Sequence, residues 1–210
     1  MRTLIPTPDR SEVSKKERGI YDEWIEGFSA HDPDRSTYPS SEVFGAILNS
    51  PTVAVAVLGV GAAISEVEDP LPNWIHQFGD LVVSLELHRI RRVPEGGCEL
   101  RVMFNHLPKA ARSGVRLAAV RALLDDREAD LTAEEAEYVL FIRDVVRGEL
   151  TDRSFAAVEA RLGKRMTIEF GLLMLFVVYM TRVEEFVGCR GATMAEVEER
   201  ITELELGTVG

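Results

Sequence analysis

The chain has 210 residues, enough for one ordinary domain with a full core and too few for two comfortable ones. Hydrophobic residues make up 46% and charged residues 28%, which is the composition of a soluble globular protein. The net charge of -11 repels the phosphates of nucleic acids and anionic membrane surfaces, so neither is an expected partner. We expect a single domain over residues 1–210, with 1–18 as a loose N-terminal arm.

The cysteine content and the apolar segments indicate a cytoplasmic protein. Two cysteines, Cys98 and Cys189, show no pairing pattern of the kind found in secreted scaffolds. The N-terminus has no apolar segment of the length that a secretory signal needs. The most apolar run, Phe170 to Met180, is well short of the roughly 20 residues that cross a bilayer, so it predicts a buried helix.

The first part of the chain predicts helices. Apolar residues recur at the spacing of a helix with one buried face at Ile20, Trp24, Ile25 and Phe28. Ser50 is a candidate N-cap, and Pro51 follows it at the first helical position, where a missing N–H costs nothing. The small residues of the segment 59–63 favour close packing of that helix against another.

The middle of the chain predicts a core helix followed by a helix that carries a histidine. The segment IHQFGDLVVSLELHRI is apolar nearly all round, as a core helix is. The next helix contains His106 with Pro108 two residues later. Because proline removes one backbone hydrogen bond and crowds the preceding turn, we expect a kink or a restart beside His106.

The last third has the clearest signals. Thr132 and Glu135 form a capping box with Leu131 as its staple, and Gly163 is a natural C-cap for the next helix. A further helix is predicted from about Met166 to Val187, and Thr193 is a candidate cap for the last one. No segment combines strand periodicity with hairpin turn chemistry, so the sequence predicts an all-α fold.

A histidine motif and its surroundings resemble a known family. His106 is followed by Pro108, Ala110 and Gly114, and the C-terminal segments LTAEEAEYVLFIRDV, LTDRSFAAVEARLGKRMTIEF and YMTRVEEFVG follow in order, as does SEVFGAILNSP near the N-terminus. Together they resemble the carboxymuconolactone decarboxylase and alkylhydroperoxidase D superfamily. The resemblance implies a single-domain all-α helical bundle that assembles with itself, as a homotrimer or a homohexamer.

The chain departs from the family pattern at two points. Peroxidase members carry Cys-x-x-Cys just before the histidine, and here Leu100 and Met103 hold those positions. A lone Cys98 cannot form the disulfide that the peroxidase cycle requires. Decarboxylase-like members often have a glutamate four residues before the histidine, where this chain has Val102.

The resemblance also implies an upstream carboxylate that serves the histidine. Glu86 keeps nearly the family's distance to His106, whereas Asp80 fits the apolar profile better but needs a longer insertion. Both stay candidates, and we favour Glu86 slightly.

The remaining polar residues have structural and functional interpretations. His31 and His76 are expected to be packing or surface residues, and His88 is intermediate because it lies close to Glu86. Arg89, beside Arg91 and Arg92, is either a solvated helix end or a clamp for a substrate carboxylate. Arg182 is a second candidate for substrate binding, unless it pairs with Glu185 or Glu169. No spacing brings the histidines together, so no metal site is expected.

These observations predict a cofactor-free lyase or isomerase that acts on a small organic acid or lactone. His106 would be the general acid or base, oriented by Glu86 or Asp80, because imidazole exchanges protons with carbon acids near neutral pH. The alternative is a non-catalytic or binding member of the fold, and a peroxidase ranks third. The sequence does not identify the substrate.

The missing Cys-x-x-Cys pair yields a first prediction. Replacing Cys98 and Cys189 together by serine should leave any genuine activity largely intact, because neither thiol has a resolving partner three residues away. Turnover of the double variant and of the wild type checks this. If the double change abolished the activity, a thiol-dependent peroxidase would become the favoured function.

Overall fold

A computed structural model describes residues 5–31, 40–65, 67–91 and 96–208, and the side chains of these residues apart from 27–31, 40–42 and 65. Within those ranges the chain is helical and has no strand, so the all-α expectation is confirmed. The α-helices are α1 Arg18–His31, α2 Ser40–Ile47, α3 Pro51–Ser65, α4 Asn73–Arg91, α5 Cys98–Ser113, α6 Leu117–Leu124, α7 Ala133–Arg147, α8 Asp152–Val187 and α9 Met194–Glu205. The side chains of Phe28, His31 and Arg92 lie outside the described residues.

The chain divides into two compact units, each described separately below. The first lies within Met1–Glu66 and Arg182–Arg190. The second lies within Val67–Thr181 and Gly191–Gly210. The candidate site residues His106, Asp80, Glu86 and Arg89 all belong to the second unit, whereas Arg182 belongs to the first.

In the first unit, the segment before α1 is attached to that helix. Arg10 Nε lies 2.6 Å from Oδ1 of Asp22, and the Tyr21 hydroxyl donates a 3.0 Å hydrogen bond to the Pro8 carbonyl. Val13 is buried. In the described part of the N-terminal arm, polar contacts therefore connect the chain to α1.

Helix α3 begins at Pro51, as the cap and proline predict, and it packs against α1 and α2 of the same unit. Nothing lies within 4 Å of a Cβ built on Gly59, and Val53, Val55 and Val60 are exposed. At Gly59 the expected close approach of another helix is absent from the described residues. Small residues permit such an approach, but a partner has to be present to make it.

In the second unit, α4 forms the centre of the core. Its residues from Gln77 to Leu87 are all buried, and it packs along α5 and α7. Phe141 of α7 stacks on Phe170 of α8 with ring centroids 5.5 Å apart, and Tyr138 meets Phe170 edge to face. The core helix predicted from the apolar segment is therefore confirmed.

Helix α5 continues through Pro108 to Ser113 without restarting. It ends at Gly114, which adopts the left-handed conformation with φ 95° and donates its N–H to the last carbonyls of the helix. A residue with a Cβ would be strained at this φ. The glycine of the histidine motif is therefore a helix C-cap.

The predicted helix signals in the last third are present. Thr132 and Thr193 both form capping boxes, with Glu135 and Glu196 respectively. Gly163 interrupts α8 with φ 75° and ψ 160°, where a C-cap was predicted. These signals are local, since each depends on residues within one turn of the chain.

The apolar part of α8 is buried on one side only, so the expectation of a buried helix was wrong for its other side. Four side chains spaced by four, three and four residues form an exposed row, which we call the α8 stripe: Ile168 (46% exposed), Leu172 (51%), Leu175 (50%) and Tyr179 (47%). In the part of the chain that the structure describes, α8 is also the one helix long and apolar enough to cross a membrane, by length and composition only.

A charge pair connects the turn after α5 with the start of α7. The Arg116 guanidinium donates two hydrogen bonds to Glu135, of 2.8 Å from Nε and 2.6 Å from Nη2. Burial opposes ionisation of Glu135, but Arg116 and the Thr132 cap outweigh it and hold the pKa of Glu135 below its ordinary value. This carboxylate therefore stabilises the fold in its ionised form.

The lowered pKa of Glu135 makes its contribution depend on pH. The stabilisation is fully present above the ordinary pKa of 4.5 and is lost as the pH falls through the lower folded-state pKa. Glu135→Gln should cost about 1 kcal/mol of unfolding free energy at neutral pH, because one charged hydrogen-bonding partner disappears. The difference from the wild type should shrink toward about pH 3, as urea denaturation at the two pH values would measure. Asp130→Asn, which alters an exposed ion pair, is the control and should change little.

Candidate functional site

A histidine and a buried carboxylate face each other between α4 and α5. Nδ1 of His106 on α5 lies 2.8 Å from Oδ2 of Asp80 on α4. The Asp80 side chain is 1% exposed and that of His106 is 27% exposed. The carboxylate is therefore enclosed by the core, whereas the imidazole reaches the surface.

The surroundings of Nδ1 decide which nitrogen of His106 carries the proton. Nδ1 also lies 3.2 Å from Oε1 of Gln77, which is buried. Carboxylate and amide oxygens only accept hydrogen bonds, so Nδ1 has to donate. In the neutral ring the lone pair is then on Nε2, and no hydrogen-bonding partner of Nε2 is found among the described residues. His106 therefore offers a basic nitrogen on its solvent side.

His76 is a second imidazole beside the same carboxylate. It lies one helical turn before Asp80, and its Nε2 is 3.5 Å from Oδ2 of Asp80. From the sequence alone, His76 is expected to be a packing or surface residue. The signal that could have found it is the spacing of four residues, which places two side chains on one face of a helix. We call His76, Gln77, Asp80 and His106 the Asp80 cluster.

The structure brings Asp80, and not the slightly favoured Glu86, to His106. Glu86 is 1% exposed and pairs with two arginines of α7, at 2.5 Å from Nη2 of Arg147 and 3.3 Å from Nε of Arg143. The hydrogen bond to Glu86 raises the pKa of Arg147. Since Asp80 and Glu86 are six residues apart, they point about 120° apart around the helix axis, and they face different helices, α5 and α7.

The two arginines expected to bind substrate are engaged elsewhere. Arg89 donates a 2.6 Å hydrogen bond to the Leu123 carbonyl and pairs with Asp126. Arg182 pairs with Glu185 at 3.0 Å, as one of the sequence alternatives had it. These contacts favour structural roles for both side chains.

A second histidine and carboxylate pair lies at the other end of α4. Glu99, in the first turn of α5, is completely buried, with Oε1 3.2 Å from Nδ1 of His88 and Oε2 2.8 Å from Nη1 of Arg91. The sequence placed His88 near Glu86 instead. Because an arginine balances its charge, Glu99 differs from Asp80.

Neither cysteine takes part in the Asp80 cluster. Cys98 is buried, Cys189 is half-buried, and the two do not form a disulfide. In the described ranges, no three histidine, cysteine, aspartate or glutamate side chains are grouped so that they could hold a metal ion.

A cavity of about 380 Å³ opens on another side of α4 and borders α7. Trp74 and Phe78 form its aromatic wall. Its polar lining includes Glu134 and the paired Arg116 and Glu135. The volume is within the range of small-molecule sites, but none of the cluster residues lines it.

No protein-family model matches the chain, and no curated protein or solved structure matches it significantly.

Proposed function

We propose that this chain is a cofactor-free enzyme, a lyase or isomerase, that acts on a small organic acid or lactone with His106 as general acid and base. The observation that carries the proposal is the 2.8 Å contact between His106 and the buried Asp80. We also propose, from the sequence resemblance alone, that it is a divergent member of the carboxymuconolactone decarboxylase and alkylhydroperoxidase D superfamily.

The proposed chemistry is proton transfer at a carbon next to a carboxylate or lactone carbonyl. Nε2 of His106 removes the proton, so a C–H bond breaks, an N–H bond forms and the electron pair moves into an enolate. In an isomerisation the same nitrogen returns the proton to another carbon of the enolate. In a decarboxylation the enolate forms by loss of carbon dioxide and takes its proton from the imidazolium.

Asp80 supports this chemistry in two ways. Its oxygen lies 2.8 Å from Nδ1 and favours the proton on that nitrogen, so that the lone pair of the neutral ring is on Nε2, and its negative charge stabilises the imidazolium that forms during turnover. Because Asp80 is buried, water screens that charge weakly. Gln77 holds the ring orientation through the second contact to Nδ1.

The second candidate is a binding protein without catalysis. The observation that favours it is the cavity beside Trp74 and Phe78, since an aromatic wall with a few polar groups is typical of ligand sites. A binding protein would retain its ligand affinity when His106 is replaced.

The replacement His106→Asn tests the enzymatic proposal. A panel of small organic acids and lactones is first screened for conversion by the wild type, with product detection by NMR. On the converted substrate, the variant should lose about 10²- to 10⁴-fold in turnover, the contribution of a positioned acid or base. Turnover is counted per folded molecule, because removing a partner of the buried Asp80 also lowers the stability of the fold.

A structural role for His106 gives a different result. The variant then loses about 1 to 3 kcal/mol of stability, the cost of a buried hydrogen-bonding group left without its partner, and keeps normal activity per folded molecule. His88→Asn is the matched control, because His88 is also paired with a buried carboxylate but lies outside the Asp80 cluster. It should retain the wild-type turnover.

We further propose that the protein assembles with itself, as a homotrimer or homohexamer, and that the α8 stripe lies in the interface. The stripe repeats at intervals of four, three and four residues, which is the spacing of side chains that pack between two helices. The most apolar window of α8 is only 28% buried within the chain. An exposed apolar row of this kind marks a contact site, and an identical stripe on a second copy is complementary to it.

Replacing Leu172 and Leu175 together by glutamate should dissociate the assembly, because a charged side chain cannot be buried in an apolar interface without a partner. Light scattering at micromolar concentration measures the mass of wild type and variant. Leu150→Glu is the control, since Leu150 is a half-exposed leucine outside the stripe. A monomeric wild type, or one that binds lipid vesicles through α8 instead, would contradict self-assembly.

A further inference from the structure

His76 and His106 share one oxygen of one carboxylate. Oδ2 of Asp80 lies 2.8 Å from Nδ1 of His106 and 3.5 Å from Nε2 of His76. The two rings come from different helices, α5 and α4, and are similarly exposed, at 27% and 30%. They therefore meet at the carboxylate from two sides.

The charge of Asp80 has no other compensation among the residues that the structure describes. The carboxylate is completely buried, and neither of its oxygens accepts a hydrogen bond of good geometry there. The Ser84 hydroxyl donates to the backbone carbonyl of Asp80, not to its side chain. Glu86 and Glu99 differ, because each has an arginine as an ion-pair partner.

A buried carboxylate without an arginine or lysine depends on the histidines beside it for its stabilisation. Any positive charge on His76 interacts with the same oxygen that lies 2.8 Å from Nδ1 of His106. A change at one ring must therefore alter the electrostatic environment of the other, even where the rings do not touch.

We propose that His76 is a positioning residue of this site, which acts on His106 through the shared Asp80 carboxylate. The role rests on the proposed function of His106. His76 sets how much of the Asp80 charge is available to the Nδ1 proton, and so how strongly the site stabilises the imidazolium formed in turnover.

The first test observes the Nδ1 proton of His106 directly, without any substrate. Protein labelled with ¹⁵N in its histidine rings is studied by NMR, and the resonance is assigned by its disappearance in His106→Gln. In His76→Gln the resonance should move downfield, because the charge of the Asp80 carboxylate, 2.8 Å from Nδ1, then acts on the His106 ring alone. In the matched control His88→Gln it should stay in place, since His88 faces Glu99.

The second test measures whether the two rings are energetically coupled. Urea denaturation gives the unfolding constants of His76→Gln, His106→Gln and the double variant. The unfolding constant of the double variant should differ about fivefold from the value expected if the two single effects simply multiplied. Such a difference is typical of two residues that share a partner. For the control pair His88→Gln and His106→Gln, the unfolding constant of the double variant should equal the value expected from the two single variants.

An unmoved resonance in His76→Gln, or additive unfolding constants, would overturn the proposal. If that variant does not fold, His76→Asn is read in the same way. These readouts depend on the folded protein alone, so they separate a failure of this proposal from a failure of the function, which the turnover of His106→Asn reports.

Discussion

The candidate site depends on the burial of Asp80 in the central helix of the core. A carboxylate in that position is costly, because water cannot solvate it, unless cationic or donor groups lie beside it. Here those groups are two imidazoles, His76 from the same helix and His106 from α5. The arrangement places a titratable ring at the surface with its charge partner in the interior, which is the geometry that general acid and base chemistry needs.

Three buried carboxylates on α4 and at the start of α5 are balanced in different ways. Glu86 and Glu99 face arginines, whose charge is permanent, and they connect α4 to α7 and to the start of α5. Asp80 faces histidines alone among the described residues, and an imidazole can be neutral or positively charged. A permanent ion pair stabilises a fold, whereas a histidine pair can also exchange protons. This contrast favours His106, beside Asp80, as the residue of the proposed acid and base chemistry.

The second feature of the molecule is apolar surface that the chain does not cover. The α8 stripe and the valines of α3 are exposed, although both helices are strongly apolar. Each of these faces is described within its own unit, and each leaves apolar atoms in contact with water, which has a free-energy cost. Self-assembly would remove that cost, because the exposed apolar side chains of the two helices would then be buried, as their composition predicts.

The sequence by itself determined the helices and their ends, because those signals act within one or two turns. Thr132 and Thr193 cap helices where predicted and Gly163 interrupts α8, whereas the helix that carries His106 does not restart at Pro108. Only the tertiary structure decided which carboxylate meets His106 and which side of α8 stays exposed. Both outcomes depend on the rotation of packed helices about their axes, which contacts distant in sequence determine. Periodicity shows that two residues share a face, as His76 and Asp80 do, but it does not show what that face meets.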